Sequence, residues 1–139
     1  MKAKSRIALI DDDHDFLYMN RCVLEEQGFQ VSCFSDPLVA IEAMNETTPD
    51  IIVTDLMMNK MTSGFTFLKM IRSDETLRSI PVIIVTAIGS KMGFDFSPRD
   101  ETDLKAMGAQ AYFSKPVDHA AFLSRIRELL VDSPQEKRR

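Results

Sequence analysis

Polar residues suited to chemistry follow four of the apolar runs in this chain. Asp11 and Asp12 come directly after the first run, and Asp55 comes after a later one. Thr86 and Lys115 follow two further runs. Carboxylate oxygens are the ligands of hard divalent cations. A carboxylate near a hydroxyl and an ammonium also suits phosphoryl transfer, where catalysis is mostly positioning and charge neutralisation.

Three carboxylates brought to one place repel each other. At about 4 Å and an effective dielectric constant near 20, each pair costs on the order of 4 kcal/mol. Mg²⁺ would offset this repulsion while keeping water and phosphate oxygens among its ligands. Asp55 would then present an oxygen as the nucleophile, Thr86 would donate a hydrogen bond, and Lys115 would neutralise a phosphoryl oxygen.

The elements that must position these residues are short strands alternating with helices. Most of the runs are continuously apolar, as expected for strands covered by helices on both faces. One run alternates polar and apolar residues and suits an edge. The predicted strands are 7–10, 30–34, 51–54, 82–85 and 111–114.

Five helices are predicted between and after the strands. Gly28 suits the end of the first, and Asp36-Pro37 suits the start of the second. The third has an apolar face of Phe65, Leu68 and Ile71. The predicted ranges are about 15–27, 36–45, 64–72, 101–107 and 118–131.

This strict alternation favours an α/β fold in which a parallel sheet lies between two layers of helices. In such a sheet the carboxyl ends of the strands share one edge, where ligands bind. Asp11, Asp12, Asp55, Thr86 and Lys115 are therefore expected to meet there.

Composition fits a single domain. The chain has 139 residues, of which 45% are hydrophobic, with a net charge of −4 and a pI near 5.2. An acidic chain is a poor candidate for binding nucleic acid or an anionic membrane. The apolar runs are too short for a membrane span or a signal peptide. We expect a cytoplasmic protein with Cys22 and Cys33 as thiols.

The motifs resemble those of the receiver domain of bacterial two-component response regulators, over about residues 5–131. Residues 132–139 would then be a tail or the start of a linker. The matching segments are Ile10-Asp11-Asp12, Thr54-Asp55, Val85-Thr86-Ala87 and Tyr112-Phe113-Ser114-Lys115-Pro116.

The resemblance implies a flavodoxin-like, three-layer α/β/α sandwich with five helices and the strand order 2-1-3-4-5. It implies that Asp55 becomes an aspartyl phosphate, with a sensor histidine kinase or phosphotransfer protein as donor. A downstream effector protein, or an output domain beyond this chain, would respond, and a homodimer stays open. Such a protein catalyses only its own phosphorylation and dephosphorylation and is not an enzyme otherwise.

The resemblance also implies particular roles. Asp12, Asp55 and the main-chain carbonyl of Met57 would hold Mg²⁺ directly, with Asp11 acting through water. Thr86 and Tyr112 would move when Asp55 is phosphorylated. The Lys115-Pro116 peptide bond would be cis.

Two segments depart from the family pattern. Residues 59–63 suggest a one-residue insertion, because glycine stands at Gly64 rather than at Ser63. The stretch between Thr86 and Lys115 is longer than usual, with the extra residues in 88–100. That stretch precedes the predicted fourth helix, which with the fifth strand and fifth helix forms the usual signalling face. The output geometry is therefore left open.

Other readings of the acidic residues fit less well. A calcium-binding EF-hand beginning at Asp11 would need glycine and glutamate where Phe16 and Cys22 stand. A phosphatase of the haloacid dehalogenase type would need a second aspartate at Met57. Asp13 and Asp15 are expected only to favour the start of a helix.

Two alternatives concern the function of the whole receiver. A degenerate receiver would bind a partner as a scaffold without being phosphorylated, and a hybrid histidine kinase would use the same domain as a module. Self-dephosphorylation is predicted to be slow, because the apolar Met57 and Ile88 stand where family members tune that rate and neither can hydrogen-bond water.

Overall fold

A computed structural model describes residues 4–55, 63–87 and 108–131, apart from the side chains of residues 63–65. Five parallel strands form one sheet in the order β2-β1-β3-β4-β5. The strands are β1 Arg6–Ile10, β2 Gln30–Phe34, β3 Ile51–Thr54, β4 Val82–Thr86 and β5 Ala111–Ser114. The predicted strand order and the edge position of β2 are confirmed.

Four helices lie within the described residues: α1 His14–Glu26, α2 Pro37–Glu46, α3 Ser63–Ser73 and α4 His119–Val131. Each differs from its predicted range by at most one residue at either end. The predicted helix at 101–107 lies outside the described residues, as do Met57, Ile88 and the longer segment 88–100. None of the described helices is long and apolar enough to cross a bilayer.

The alternation of side chains along the strands builds a core on each face of the sheet. Ile7 and Leu9 of β1 pack with residues of α1 and α4 on one face. Ala8 and Ile10 pack with residues of α2 and α3 on the other. The layers are therefore helix, sheet, helix, as predicted.

Residues at the helix ends form the caps that the sequence indicates. Asp13 caps α1 by accepting hydrogen bonds from the backbone amides of residues 15 and 16. Asp36 caps α2, with Pro37 at the first helical position. Gly28 adopts a φ of +96° just beyond α1, a conformation that other residues rarely adopt.

One half-buried arginine ties together the amino-terminal ends of β4 and β5. Its guanidinium donates to the carbonyl oxygens of Gly108 (2.6 Å from Nη2), Arg78 (2.6 Å from Nη1) and Ile80 (3.1 Å from Nη1). This residue is Arg72, in the last turn of α3. We call this set of contacts the Arg72 clamp; it lies at the sheet edge opposite the predicted site.

Candidate functional site

Backbone hydrogen bonds fix the residues that follow the strands. Each bond extends the ladder of the sheet by one step beyond a strand end. The neighbouring strand thereby fixes the backbone of the residue that carries the functional side chain. The three bonds are Asp11 N to Phe34 O (3.0 Å), Asp55 N to Ile10 O (3.1 Å) and Lys115 N to Thr86 O (3.1 Å).

Lys115 lies at the centre of the site. Its Nζ is 2.8 Å from Oδ2 of Asp11, 3.3 Å from Oδ2 of Asp55 and 3.9 Å from Oδ2 of Asp13. The same ammonium lies 4.5 Å from the centroid of the Phe16 ring, within cation–π distance. One cation therefore joins the ends of two strands to the start of α1.

The carboxylates of Asp11, Asp12 and Asp55 form a cluster in which one oxygen of each lies within 4.8 Å of the others. Asp11 and Asp55 are buried, with 1% and 3% of their surface exposed. Asp12 is partly exposed. Hard oxygen ligands at this spacing suit a divalent cation such as Mg²⁺.

Burial raises the pKa of the Asp11 carboxyl to about 6. The contact with Lys115 and the hydrogen bond from the Asp13 amide (2.9 Å) lower that pKa, and the nearby Asp55 charge raises it. Oδ2 of Asp11 accepts no hydrogen bond of good geometry from the described residues, so its contact with Lys115 is an ion pair. Beyond this ion pair the oxygen has no partner among the described residues, so it can also act at a metal, directly or through water.

The pKa of Lys115 is also raised, but by its ion pairs rather than by burial. Burial lowers the pKa of its ammonium, but the contacts with Asp11 and Asp55 outweigh this effect and the net pKa is raised. Lys115 is therefore a fixed positive charge at neutral pH.

Thr86 and Tyr112 lie in the two strands at the carboxyl-end side of the site, β4 and β5. Thr86 is the last residue of β4, pairs with Ser114 and is 1% exposed. The Tyr112 side chain is half-buried and packs against the core on the α2 and α3 side. The Lys115-Pro116 peptide bond is cis, as the resemblance implied.

Two predicted features behave as expected for the start of a helix, and one contact was missed. Asp15 is exposed in the first turn of α1, and Asp13 is the cap. The contact of Phe16 with Lys115 carried no signal in the sequence, because it depends on how α1 docks on the sheet. Met57, the predicted carbonyl ligand, lies outside the described residues.

Comparison with known proteins identifies the family. The family model for the response regulator receiver domain matches residues 7–127. The polar-differentiation response regulator DivK of Brucella ovis is 30% identical over 127 residues, which cover 91% of this chain and 97% of that protein.

Solved structures agree. The receiver domain of the Francisella response regulator 1452 is 26% identical, with a TM-score of 0.75, over 91% of this chain and 97% of that one. The chemotaxis response regulator CheY4 of Vibrio cholerae is 24% identical, with a TM-score of 0.76, over 91% and 99%, a likeness of fold. The chain belongs to the response regulator receiver domain family of two-component signalling.

Proposed function

We propose that Asp55 accepts a phosphoryl group from a phosphohistidine on a sensor kinase or phosphotransfer protein. The observation that carries this proposal is the meeting of Asp11, Asp12 and Asp55 with Lys115 at one sheet edge. A carboxylate oxygen of Asp55 forms the new O–P bond as the P–N bond to the donor imidazole breaks. The released imidazole keeps the electron pair and takes up a proton.

Asp11, Asp12 and Asp55, with the main-chain carbonyl of Met57, would hold Mg²⁺. When bound, this ion neutralises charge on the phosphoryl oxygens during transfer. Lys115 reaches Asp55 at 3.3 Å and is positioned to pair with the same group. Burial of Asp55 excludes bulk water from its carboxylate.

The phosphorylated state would differ from the resting state in charge. A phosphoryl group adds about −1.5 to −2 charges at neutral pH, which strengthens the attraction for Thr86 and Lys115. Thr86 would close on the group, and Tyr112, two strand positions before Ser114, would turn inward. An effector protein or output domain would read the changed face, and the protein would act in the cytoplasm.

The experiment uses phosphoramidate as a small phosphoryl donor. The chain, with Mg²⁺ present, is expected to gain the mass of one phosphoryl group by intact mass spectrometry. Asp55→Asn should gain none, whereas the matched control Asp50→Asn, at the opposite sheet edge, should behave as the wild type. Removal of Mg²⁺ with EDTA should stop the reaction.

A wild type that gains no mass, or an Asp55→Asn variant that gains as much, would contradict the proposal. The first result would favour the scaffold alternative. The proposed chemistry applies whether the domain acts by itself or as a module of a hybrid kinase.

A further inference from the structure

The ammonium of Lys115 has two kinds of neighbour among the described residues. Three are carboxylates, whose Oδ2 atoms lie 2.8 Å (Asp11), 3.3 Å (Asp55) and 3.9 Å (Asp13) from Nζ. The other is the aromatic ring of Phe16, whose centroid lies 4.5 Å from the Nζ atom above it. The face of an aromatic ring carries partial negative charge and attracts a cation at this distance. Phe16 is therefore the neutral member of the set that holds this charge.

The carboxylates in this set have other partners. Oδ1 of Asp13 accepts hydrogen bonds from two backbone amides at the start of α1, at 3.1 and 3.2 Å. Oδ1 of Asp11 accepts a hydrogen bond from the Asp13 amide at 2.9 Å. Asp11 and Asp55 also belong, with Asp12, to the cluster whose oxygens suit Mg²⁺. A bound metal and Lys115 would thus draw on the same two buried carboxylates.

The ring of Phe16 is free of this competition. Hard divalent cations take oxygen ligands, which the ring does not offer, so it stays available to Lys115 when the carboxylates hold a metal. The ring also packs against the core on the α1 and α4 side. The amide of Phe16 donates to Oδ1 of Asp13 at 3.2 Å, and its carbonyl accepts from Nδ2 of Asn20 at 2.9 Å. Packing and two backbone hydrogen bonds therefore fix where the ring stands.

Water competes with the ring for the ammonium. The Lys115 side chain is 15% exposed. Together with Phe16 it lines a mostly apolar slot of about 350 Å³ between α1 and the connection from β5 to α4. An ammonium is strongly hydrated and stands on a flexible four-carbon stem. Without the ring, water in this slot would solvate the ammonium and draw it away from Asp55.

We propose that Phe16 is a positioning residue for phosphoryl transfer, whose ring holds the ammonium of Lys115 beside Asp55 while the carboxylates bind a metal. This role presupposes the proposed function for the reaction, whereas the contact itself is independent of it. Phe16 acts through Lys115, which neutralises charge on the phosphoryl oxygens during transfer. Loss of the ring should therefore lower the maximal rate of phosphorylation and leave unchanged the donor concentration that gives half of it.

The first experiment observes the contact by NMR on the full isotope-labelled chain, without a phosphoryl donor. The ring current of Phe16 should shift the ε-methylene protons of Lys115 upfield of those of the other lysines. This shift should persist in saturating Mg²⁺ and disappear in Phe16→Leu. An ordinary shift for Lys115 in the wild type, or an upfield shift that Mg²⁺ abolishes, would overturn the proposal.

The second experiment varies the charge on the ring at nearly constant shape. Replacement of Phe16 by 4-fluorophenylalanine or 3,4,5-trifluorophenylalanine draws electron density from the ring face and keeps every backbone hydrogen bond. Phosphorylation by phosphoramidate in Mg²⁺ is followed by intact mass spectrometry. The maximal rate should fall about twofold for the monofluoro ring and about fivefold for the trifluoro ring and for Phe16→Leu, as expected for one partly exposed cation–π contact.

The same fluorinated residues at Phe29 are the matched control. Phe29 packs in the same core as Phe16 and stands directly before β2, at the opposite edge of the sheet from the site. Fluorination there alters a core ring without touching Lys115. The maximal rate should therefore equal that of the wild type.

A fluorinated series at Phe16 that keeps the wild-type rate would show that the ring serves packing alone, and would overturn the proposal even if Phe16→Leu is slow or fails to fold. So would a raised half-saturating concentration of phosphoramidate at an unchanged maximal rate, which would place Phe16 in the binding of the donor. Failure of phosphoramidate to label the wild type would contradict the proposed function. The NMR shift in Mg²⁺ would still decide whether the ring holds Lys115.

Discussion

At the amino-terminal ends of β4 and β5, one guanidinium meets several carbonyl oxygens, whereas at the carboxyl ends of β1 and β3 three carboxylates meet one ammonium. In the Arg72 clamp each acceptor gains a donor, and the contacts extend to the side chain of Gln110. At the opposite edge, Oδ2 of Asp11 has an ion pair with Lys115 but no hydrogen bond from the described residues, and burial raises the pKa of Asp11. The first arrangement stabilises the fold. The second brings like charges together, and a bound cation can offset their repulsion.

The largest expected effect is at the clamp. Arg72→Met should lower the free energy of unfolding by about 3 kcal/mol, because the carbonyl oxygens of Gly108, Arg78 and Ile80 lose their donors. Urea denaturation measures this loss. Arg78→Met, at an exposed arginine, is the control and should change stability little. A loss for Arg72→Met no larger than for the control would break the contrast between the two edges.

The next expected effect is a gain in stability, at Asp11. Asp11→Asn should raise the free energy of unfolding of the metal-free protein by about 2 kcal/mol at pH 7.5, because an ionised buried carboxylate is replaced by a neutral amide. Denaturation in EDTA measures the gain. The same variant should bind Mg²⁺ more weakly. A loss of stability in EDTA would mean that the Asp11–Lys115 ion pair outweighs the burial of charge.

The gain should depend on pH in a defined direction. The pKa of Asp11 is raised from 3.8 to about 6 on folding, so ionisation costs stability in full above pH 6 and not at all below pH 3.8. The stability difference between Asp11→Asn and the wild type should therefore shrink as pH falls from 7 towards 4. Thermal denaturation across this range in EDTA tests the trend, and a difference that stays constant would place its origin in packing rather than charge.

The smallest expected change in stability is at Asn20, a buried residue of α1. Asn20→Leu should raise the free energy of unfolding by about 1 kcal/mol, because a buried oxygen without a hydrogen bond from the described residues is replaced by an apolar group. Asn45→Leu, on the exposed side of α2, should not show this gain. Urea denaturation of both variants decides the point. A destabilised Asn20→Leu would show that the bond to the Phe16 carbonyl matters more than the orphan oxygen.

Much of the fold followed from the sequence because its signals are local. Apolar runs mark the strands, and Asp36-Pro37 marks the start of α2 with its cap. Asp11, Asp55 and Lys115 could be placed together because the carboxyl ends of parallel strands share an edge. These signals needed no knowledge of how the helices pack.

The features that the sequence did not reveal depend on packing between distant segments. Arg72 reads as an ordinary helical arginine, yet its partners lie up to 38 positions away along the chain. The unpaired oxygen of Asn20 depends on how α1 docks against the sheet. No spacing rule reports such contacts, because they are set by side chains that meet only in the folded protein.

The cap of α1 makes the site observable without a label on Asp55. The Asp13 amide donates to Oδ1 of Asp11, while the Asp13 carboxylate holds the amides that begin α1. Any change in the charge held by Asp11 must alter the polarisation of that N–H proton. Its chemical shift and its rate of exchange with solvent should therefore report whether the site holds a cation or a phosphoryl group.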